Sequence, residues 1–424
     1  MRSTSSCPCA SDRHGYAPLE KILTAVSLAS ISEGRSGPAG AVCARLAVTT
    51  LRLTQYRNYR RLRLELDERP VVLTGANGAG KTNLLEAVSY LGAGRGLRGA
   101  RLHDVDHRGG DGPWAVAARL SGPNGEFEIG TGRDGASETA RRIVRLDGKP
   151  APGPAALAAR VPVLWLTPAQ DRLFLDRPNA RRRYLDNLVA ALDPGHATRL
   201  NEYERALRER ARLLRDFGPH GADADWLGVL ERNMAETGIA IAAARVQAAA
   251  ELTQASAGGI GPFPAARISA EGDAEGLLGN GPALDAEDQF AAALKGARPR
   301  DAEVGGASVG PHRSDMVVAH CARDLPAAEL STGEQKTLLL AIVLAAARLQ
   351  AAERGFAPIL LLDEVTAHLD AAHRATLFDE INGLRVQAWL TGTDPALFAP
   401  LAPSARCFTV SDGALTDPTE SFLS

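Results

Sequence analysis

The chain has 424 residues, 45% of them hydrophobic and 23% charged, enough apolar material for a large core divided into two or three domains. Its formal net charge of -2 excludes a uniformly basic nucleic-acid coat, although basic residues can still cluster locally. Five cysteines, Cys7, Cys9, Cys43, Cys321 and Cys407, are too scattered for a disulfide framework or a four-ligand zinc site, and they suit a reducing compartment.

Residues 1–44 are rich in Ser, Gly, Ala and Pro without a sustained period. They read either as a flexible extension or as an upstream start that the cell does not use. From Ala44 the pattern changes. ARLAVTTLRLTQYRNYRRLRLEL alternates apolar and polar residues in two runs around Arg57-Asn58, the signature of a hairpin. Val71 to Thr74 reads as a short buried strand, the run from Asn83 has helical spacing, and further strands are expected near Trp114 to Leu120, Glu126 to Thr131 and Ile143 to Leu146. Residues 171–300 differ in kind, being mainly helical and arginine-rich up to about 255, then Gly, Pro and Ala rich, with loops and one weak helix expected. The arginines of this segment, among them Arg181, Arg182 and Arg183, have two readings: a solvated helix face with i,i+4 ion pairs, or a basic surface near DNA. After about Val304 strands and helices alternate again. The expected fold class is therefore α/β with a largely parallel sheet, split into 45–170 and 301–424 by an inserted helical arm at 171–300. No apolar run approaches the roughly 20 residues of a membrane span. The run Leu338 to Ala347 is better placed in a buried helix, and a cytoplasmic protein without a membrane partner is expected.

Two motifs point to ATP and Mg2+. Gly75-Ala76-Asn77-Gly78-Ala79-Gly80-Lys81-Thr82 fits G-x-x-x-x-G-K-[ST] between a buried strand and a helix. Its glycines let backbone N–H groups curl around phosphate oxygens, Lys81 would hold the β and γ phosphates, and Thr82 would ligate Mg2+. Ile359 to Leu362 reads as a buried strand that delivers Asp363 and Glu364 at its carboxyl end, where open α/β sheets place ligands. Adjacent carboxylates in such a place call for a cation. Asp363 would hold Mg2+ directly or through water, and Glu364 would orient or polarise the attacking water.

A second anion-binding turn, Leu330-Ser331-Thr332-Gly333-Glu334-Gln335-Lys336, opens an apolar helix. With GANGAGKT, ILLLDE and the following AHLD, Ala367 to Asp370, it resembles the nucleotide-binding heads of the ABC ATPase superfamily, in which LSxGx is the signature motif. The order of TLRLTQYRNYRRL, TPAQDRLFLDRPNARRRYLD and Val309-Gly310-Pro311-His312-Arg313-Ser314-Asp315 narrows this to a resemblance, over about residues 45–415, to the RecF family of DNA replication and repair proteins. The resemblance implies an ABC/SMC-like head with a short helical arm. It also implies a weak, DNA-stimulated ATPase that dimerises on ATP, so that Ser331 and Gly333 cap the partner's γ-phosphate in trans. Gapped duplex and single-stranded DNA, mediators of the RecO and RecR type, and help in loading RecA during recombinational repair and the SOS response are the implied partners and roles. Asp370 would join the nucleotide site.

Several positions keep two readings. Gln170 is either a glutamine loop reaching Mg2+ and the water or a surface residue. Thr393 or Asp394 stands where ABC transporters carry a histidine. His312 and Arg313 are either catalytic or tied to structure and DNA, and Arg57 is a phosphate contact or a plain turn residue. The alternative for the whole chain is the ATPase subunit of an ABC transporter, against which the helical insertion and the GPHRSD phrase speak.

Overall fold

The alternating run after Ala44 forms a hairpin because its leucines share one face. β1 (Ala47–Tyr56) and β2 (Tyr59–Glu65) pair antiparallel, with Leu51 opposite Leu64 and Leu53 opposite Leu62. The computed structural model describes residues 45–110, 112–135, 141–279 and 281–417. The extension 1–44, with Cys7, Cys9 and Cys43, lies outside them. The chain continues through β3 (Val71–Thr74), α1 (Lys81–Ser89), β4 (Ala115–Gly122), β5 (Gly125–Arg133), β6 (Arg142–Leu146), β7 (Lys149–Pro150) and β8 (Val163–Leu166). Next come α2 (Pro178–Leu192), α3 (His196–Gly221), α4 (Ala224–Ala257), β9 (Ala266–Glu271), α5 (Asp273–Leu278), α6 (Ala283–Gly296) and α7 (Arg298–Val304). The last part contains β10 (Asp315–His320), β11 (Leu325–Pro326), α8 (Thr332–Arg354), β12 (Ile359–Leu362), α9 (Ala371–Gly383), β13 (Ala388–Gly392), β14 (Arg406–Ser411) and β15 (Ala414–Thr416).

Three sheets result. An antiparallel sheet runs β2-β1-β4-β5-β6-β7, and a second sheet, parallel except for β15, runs β15-β14-β3-β13-β12-β8. A core that includes Leu51, Leu73, Leu85, Leu361 and Trp389 joins these two sheets around α1. The opposite face of the parallel sheet packs on α8, α2 and the end of α4 through residues such as Leu362, Leu188, Leu252 and Leu340. Every residue from Leu338 to Ala347 is at most 2% exposed, so α8 is apolar all round because protein surrounds it. Among the described residues it is the one helix long and apolar enough to cross a membrane, and its burial explains that composition.

The arm has its own core, with Tyr203, Leu214, Met234, Ile239 and Phe290. Below that core lies a polar knot. Arg210 donates to Glu231 at 3.0 Å and to Asp301 at 2.7 Å, all three almost fully buried, and Arg298 adds a second bond to Glu231 at 2.6 Å. The expectation of loops and one weak helix after residue 255 is corrected: the segment holds β9 and the helices α5, α6 and α7. β9 forms because it pairs antiparallel with β10, Ile268 opposite Val318, in a third sheet ordered β11-β10-β9.

Candidate functional site

The phosphate loop is built by close approach. A Cβ on Gly75 would sit 2.3 Å from the Val410 carbonyl oxygen of β14, and one on Gly80 would sit 2.4 Å from Asn58 and 2.7 Å from the Tyr59 hydroxyl. Both glycines have positive φ, at 142° and 113°. Tyr59 donates to the Gly80 carbonyl at 3.1 Å, so the β1–β2 turn braces the loop from outside. Ala76, Asn77, Gly78 and Ala79 complete the turn between β3 and α1. Lys81, 4% exposed, donates to the Gly75 and Ala76 carbonyls at 2.7 and 2.9 Å, which points its ammonium back over the loop.

The parallel sheet brings the second motif to the first. Thr82 donates its hydroxyl to the carboxylate of Asp363, 3.0 and 2.9 Å from the two oxygens, across 281 residues of sequence. Asp363 is 4% exposed, whereas Glu364 is half-buried and has a φ of 52°, in the left-handed region. A residue that sequence reasoning left without a role joins them: Thr391, at the end of β13, bonds to Asp363 and accepts the N–H of Glu364. Thr393 and Asp394, the two positions considered after β13, are exposed, and the Asp394 carboxylate accepts the Ala396 N–H at 2.9 Å.

Gln170 follows β8, the neighbour of β12 on the side away from β13. Its carboxamide oxygen accepts the Thr167 N–H at 2.8 Å and the Thr167 hydroxyl at 3.2 Å, so it caps the turn at the sheet's carboxyl edge. The adjoining Asp171 lies 3.5 Å from Lys336 Nζ of α8. Ser331 is the N-cap of α8: the Glu334 carboxylate accepts its N–H at 2.9 Å and its hydroxyl at 2.8 Å. These bonds from Ser331, followed by the ion pair with Arg323, hold the Glu334 carboxyl below its usual range. Ser331, Thr332 and Gly333 are exposed, and a Cβ on Gly333 would meet nothing within 4 Å. Asp370 caps α9, accepting the His373 N–H at 2.9 Å, which lowers its pKa.

The three arm arginines separate. Arg181 is locked on Asp315 at 2.6 and 2.8 Å, and Arg182 donates to the Ser314 carbonyl at 2.8 Å, so both bind α2 to the GPHRSD phrase; Arg183 is exposed. His312 sits between the Tyr203 hydroxyl at 2.8 Å and the Ala307 carbonyl at 2.9 Å, and burial lowers its pKa. That places it at the arm's root, a structural setting. Arg57, held bidentate by the fully buried Glu86 at 2.7 and 2.8 Å, is likewise an internal brace.

A phosphate loop and a carboxylate pair at the ends of two strands, β3 and β12, that flank β13 in one parallel sheet, with a helical insertion, define an SMC-type ATPase head. Residues 47–397 match the model of the RecF/RecN/SMC N terminal domain. Among similar proteins, the DNA replication and repair protein RecF of Mesorhizobium japonicum is 49% identical over 379 residues, covering 88% of this chain and 98% of that one. RecF of Caulobacter vibrioides is 49% identical over 381 residues, covering 87% and 98%. Two solved structures of the recombination mediator protein RecF of the RecFOR pathway, one RecF-ATPrS and one RecF-ATP, superpose with a TM-score of 0.76. They are 22% and 20% identical, cover 88% of this chain, and speak for the fold. The chain belongs to the RecF family of DNA replication and repair proteins.

Proposed function

We propose that this chain is an ATP-driven DNA-repair switch that works as a dimer, each copy's signature turn closing the partner's nucleotide site. Gly333 carries the argument. It is a glycine in the first turn of α8, where it weakens the helix, yet it has no positive φ and nothing of its own chain crowds it. Close approach by another body accounts for it, and a γ-phosphate on the partner's loop suits the exposed N-terminus of a long helix.

Within one copy, Gly75 to Thr82 cradle the phosphates with backbone N–H groups and Lys81 supplies the charge. Thr82 and Asp363 present hard oxygen donors side by side, which fits Mg2+; bound there, the ion would neutralise phosphate charge. Glu364, free to reach solvent, orients the attacking water and accepts its proton. Gln170 reaches the site on releasing Thr167, and Asp370 lies at the dimer seam. The head comprises 45–170 and 301–424 and the arm 171–300, with α2 and β9 anchoring the arm.

DNA is held through its phosphates. Arg183 of the arm is one contact. The outward face of the antiparallel sheet offers Arg52, Arg61 and Arg145, all exposed, around the small residues Ala117 and Gly130. Such contacts ignore sequence and weaken with salt. The output in this reading is repair at gapped DNA in the cytoplasm, with RecO- and RecR-type mediators that load RecA; the relatives' names, a DNA replication and repair protein and a recombination mediator protein of the RecFOR pathway, support its repair part.

The test is sedimentation of Glu364→Gln. With ATP and gapped DNA it should run as a persistent dimer, and without ATP as a monomer. A Lys81→Ala chain should stay monomeric throughout. A Glu364→Gln chain whose mass ignores ATP would overturn the switch.

A further inference from the structure

Between the phosphate loop and the carboxylates lies a strand that belongs to neither motif. β13 runs between β3 and β12, and its register sets Leu390 beside Leu362, so that Thr391 emerges beside Asp363. Thr391 is fully buried, at 0% exposure. Its hydroxyl donates to Asp363 Oδ1 at 2.7 Å, and the same oxygen accepts the backbone N–H of Glu364 at 2.9 Å.

Both bonds constrain the chemistry. Asp363 is gripped from two sides, by Thr82 and by Thr391, so its carboxylate cannot turn without breaking one of them. Glu364 has a left-handed backbone, a conformation that is strained for a residue other than glycine. The bond from its N–H to Thr391 helps to hold that bend, which sets the direction of the side chain. A β-branched residue in a buried strand is ordinarily core filling, and for that purpose valine has the same shape. Valine has no hydroxyl, and it would leave the partly buried N–H of Glu364 without this acceptor.

We propose that Thr391 is a positioning residue for ATP hydrolysis, its single hydroxyl fixing Asp363 and Glu364 relative to each other. The proposal rests on the ATPase reading above. It assigns to the strand between the motifs the task of keeping the metal-side carboxylate and the water-side carboxylate in one geometry.

The test compares Thr391→Val, Thr391→Ser and Thr391→Cys in the full chain with the parent and with Lys81→Ala. Turnover is followed across Mg2+ concentrations, affinity for a fluorescent ATP analogue is measured in EDTA, and melting is recorded. Thr391→Val should lose about tenfold or more in kcat, by analogy with the cost of small misplacements in an active site. It should need more Mg2+ for half-maximal turnover while metal-free nucleotide affinity changes less than about twofold, because the phosphate loop is untouched. Thr391→Ser should restore both. Thr391→Cys, similar in size and a poor hydrogen-bonding partner, should behave as Val and covers the case in which Val does not fold. Parent-like turnover in Val or Cys, or Ser as impaired as Val, would overturn the proposal. If Lys81→Ala also turns over ATP like the parent, the ATPase reading falls, and this one with it.

Discussion

Gly75 and Gly80 bracket the phosphate loop, and both forbid a side chain, but the obstacles differ. A Cβ at Gly75 meets a backbone carbonyl of β14 in the middle of a sheet, which cannot retreat, whereas at Gly80 it meets the side chains of Asn58 and Tyr59. Gly75→Ala should therefore weaken ATP binding by roughly 100-fold, about 2.7 kcal/mol, and Gly80→Ala by about tenfold, as titration with a fluorescent analogue would show. The reverse order would mean that the hairpin turn, and not β14, sets the loop. His312 gives a pH signature. Burial lowers its folded pKa, so the folded state binds fewer protons than the unfolded state below the ordinary value of 6.5. Its stabilising share is complete above about pH 6.5 and is lost as pH falls through the folded pKa. Chemical denaturation at pH 7.5 and pH 5.5 should show a larger acid-side loss in the parent than in His312→Asn. At this scale contiguous motifs single out Lys81, Thr82, Asp363 and Glu364, and the sheet brings Thr82 within hydrogen-bond distance of Asp363, while the roles of the four are those proposed above. Thr391 was not legible, because a threonine in a strand looks like any β-branched residue until the register of a parallel sheet sets it beside a carboxylate. The partners of Arg181 and Arg182, in a run that reads as an ion-paired helix face or as a basic surface near DNA, were hidden for the related reason that Asp315 and the Ser314 carbonyl lie 134 and 132 residues away.

Elements followed the hydrophobic period where their partners are close in sequence. The β1–β2 hairpin, α1, and the arm helices α2, α3 and α4 appear where alternation or helical spacing places them. β9 is six residues long and gains its stability from β10, so nothing local announces it. The arm's stability is not readable from its charge pattern either, because one and the same run of arginines in α3 contains surface pairs and a buried anchor. Arg208 meets Glu204 at 3.2 Å with both side chains more than half exposed, whereas Arg210 is 1% exposed between Glu231 and Asp301. Removing Arg210 leaves buried carboxylates short of a counter-charge, so Arg210→Ala should cost about 3–5 kcal/mol in urea unfolding. Arg208→Ala should change it by about 0.5 kcal/mol or less. Equal effects would mean that the arm is held by apolar packing alone and that the ionic knot is incidental.

For the whole molecule the question is whether one chain contains a complete site. The loop, the carboxylates and Thr391 lie together in one copy, but Ser331 and Gly333 are presented outward on the end of α8, and the Ser331 hydroxyl turns to Glu334. A two-fold dimer that buries both signature turns would contain two composite sites, each drawing on both chains. In Lys81→Ala every loop is defective and every signature intact; in Ser331→Arg the reverse holds. Neither variant alone, as monomer or as homodimer, has a working site. A mixed dimer has one site defective on both sides and one that pairs an intact loop with an intact signature. Each mixed dimer carries one working site where the parent dimer has two, so equimolar mixing with free exchange predicts a recovery of at most about half of the parent's turnover. A chain that uses its own signature would give no recovery in the mixture, because neither variant has an intact pair of motifs. Steady-state ATPase assays of the two variants alone and mixed, in the presence of gapped DNA, separate these outcomes. The recovery must also rise with subunit exchange time, since it is carried by a species that neither preparation contains before mixing.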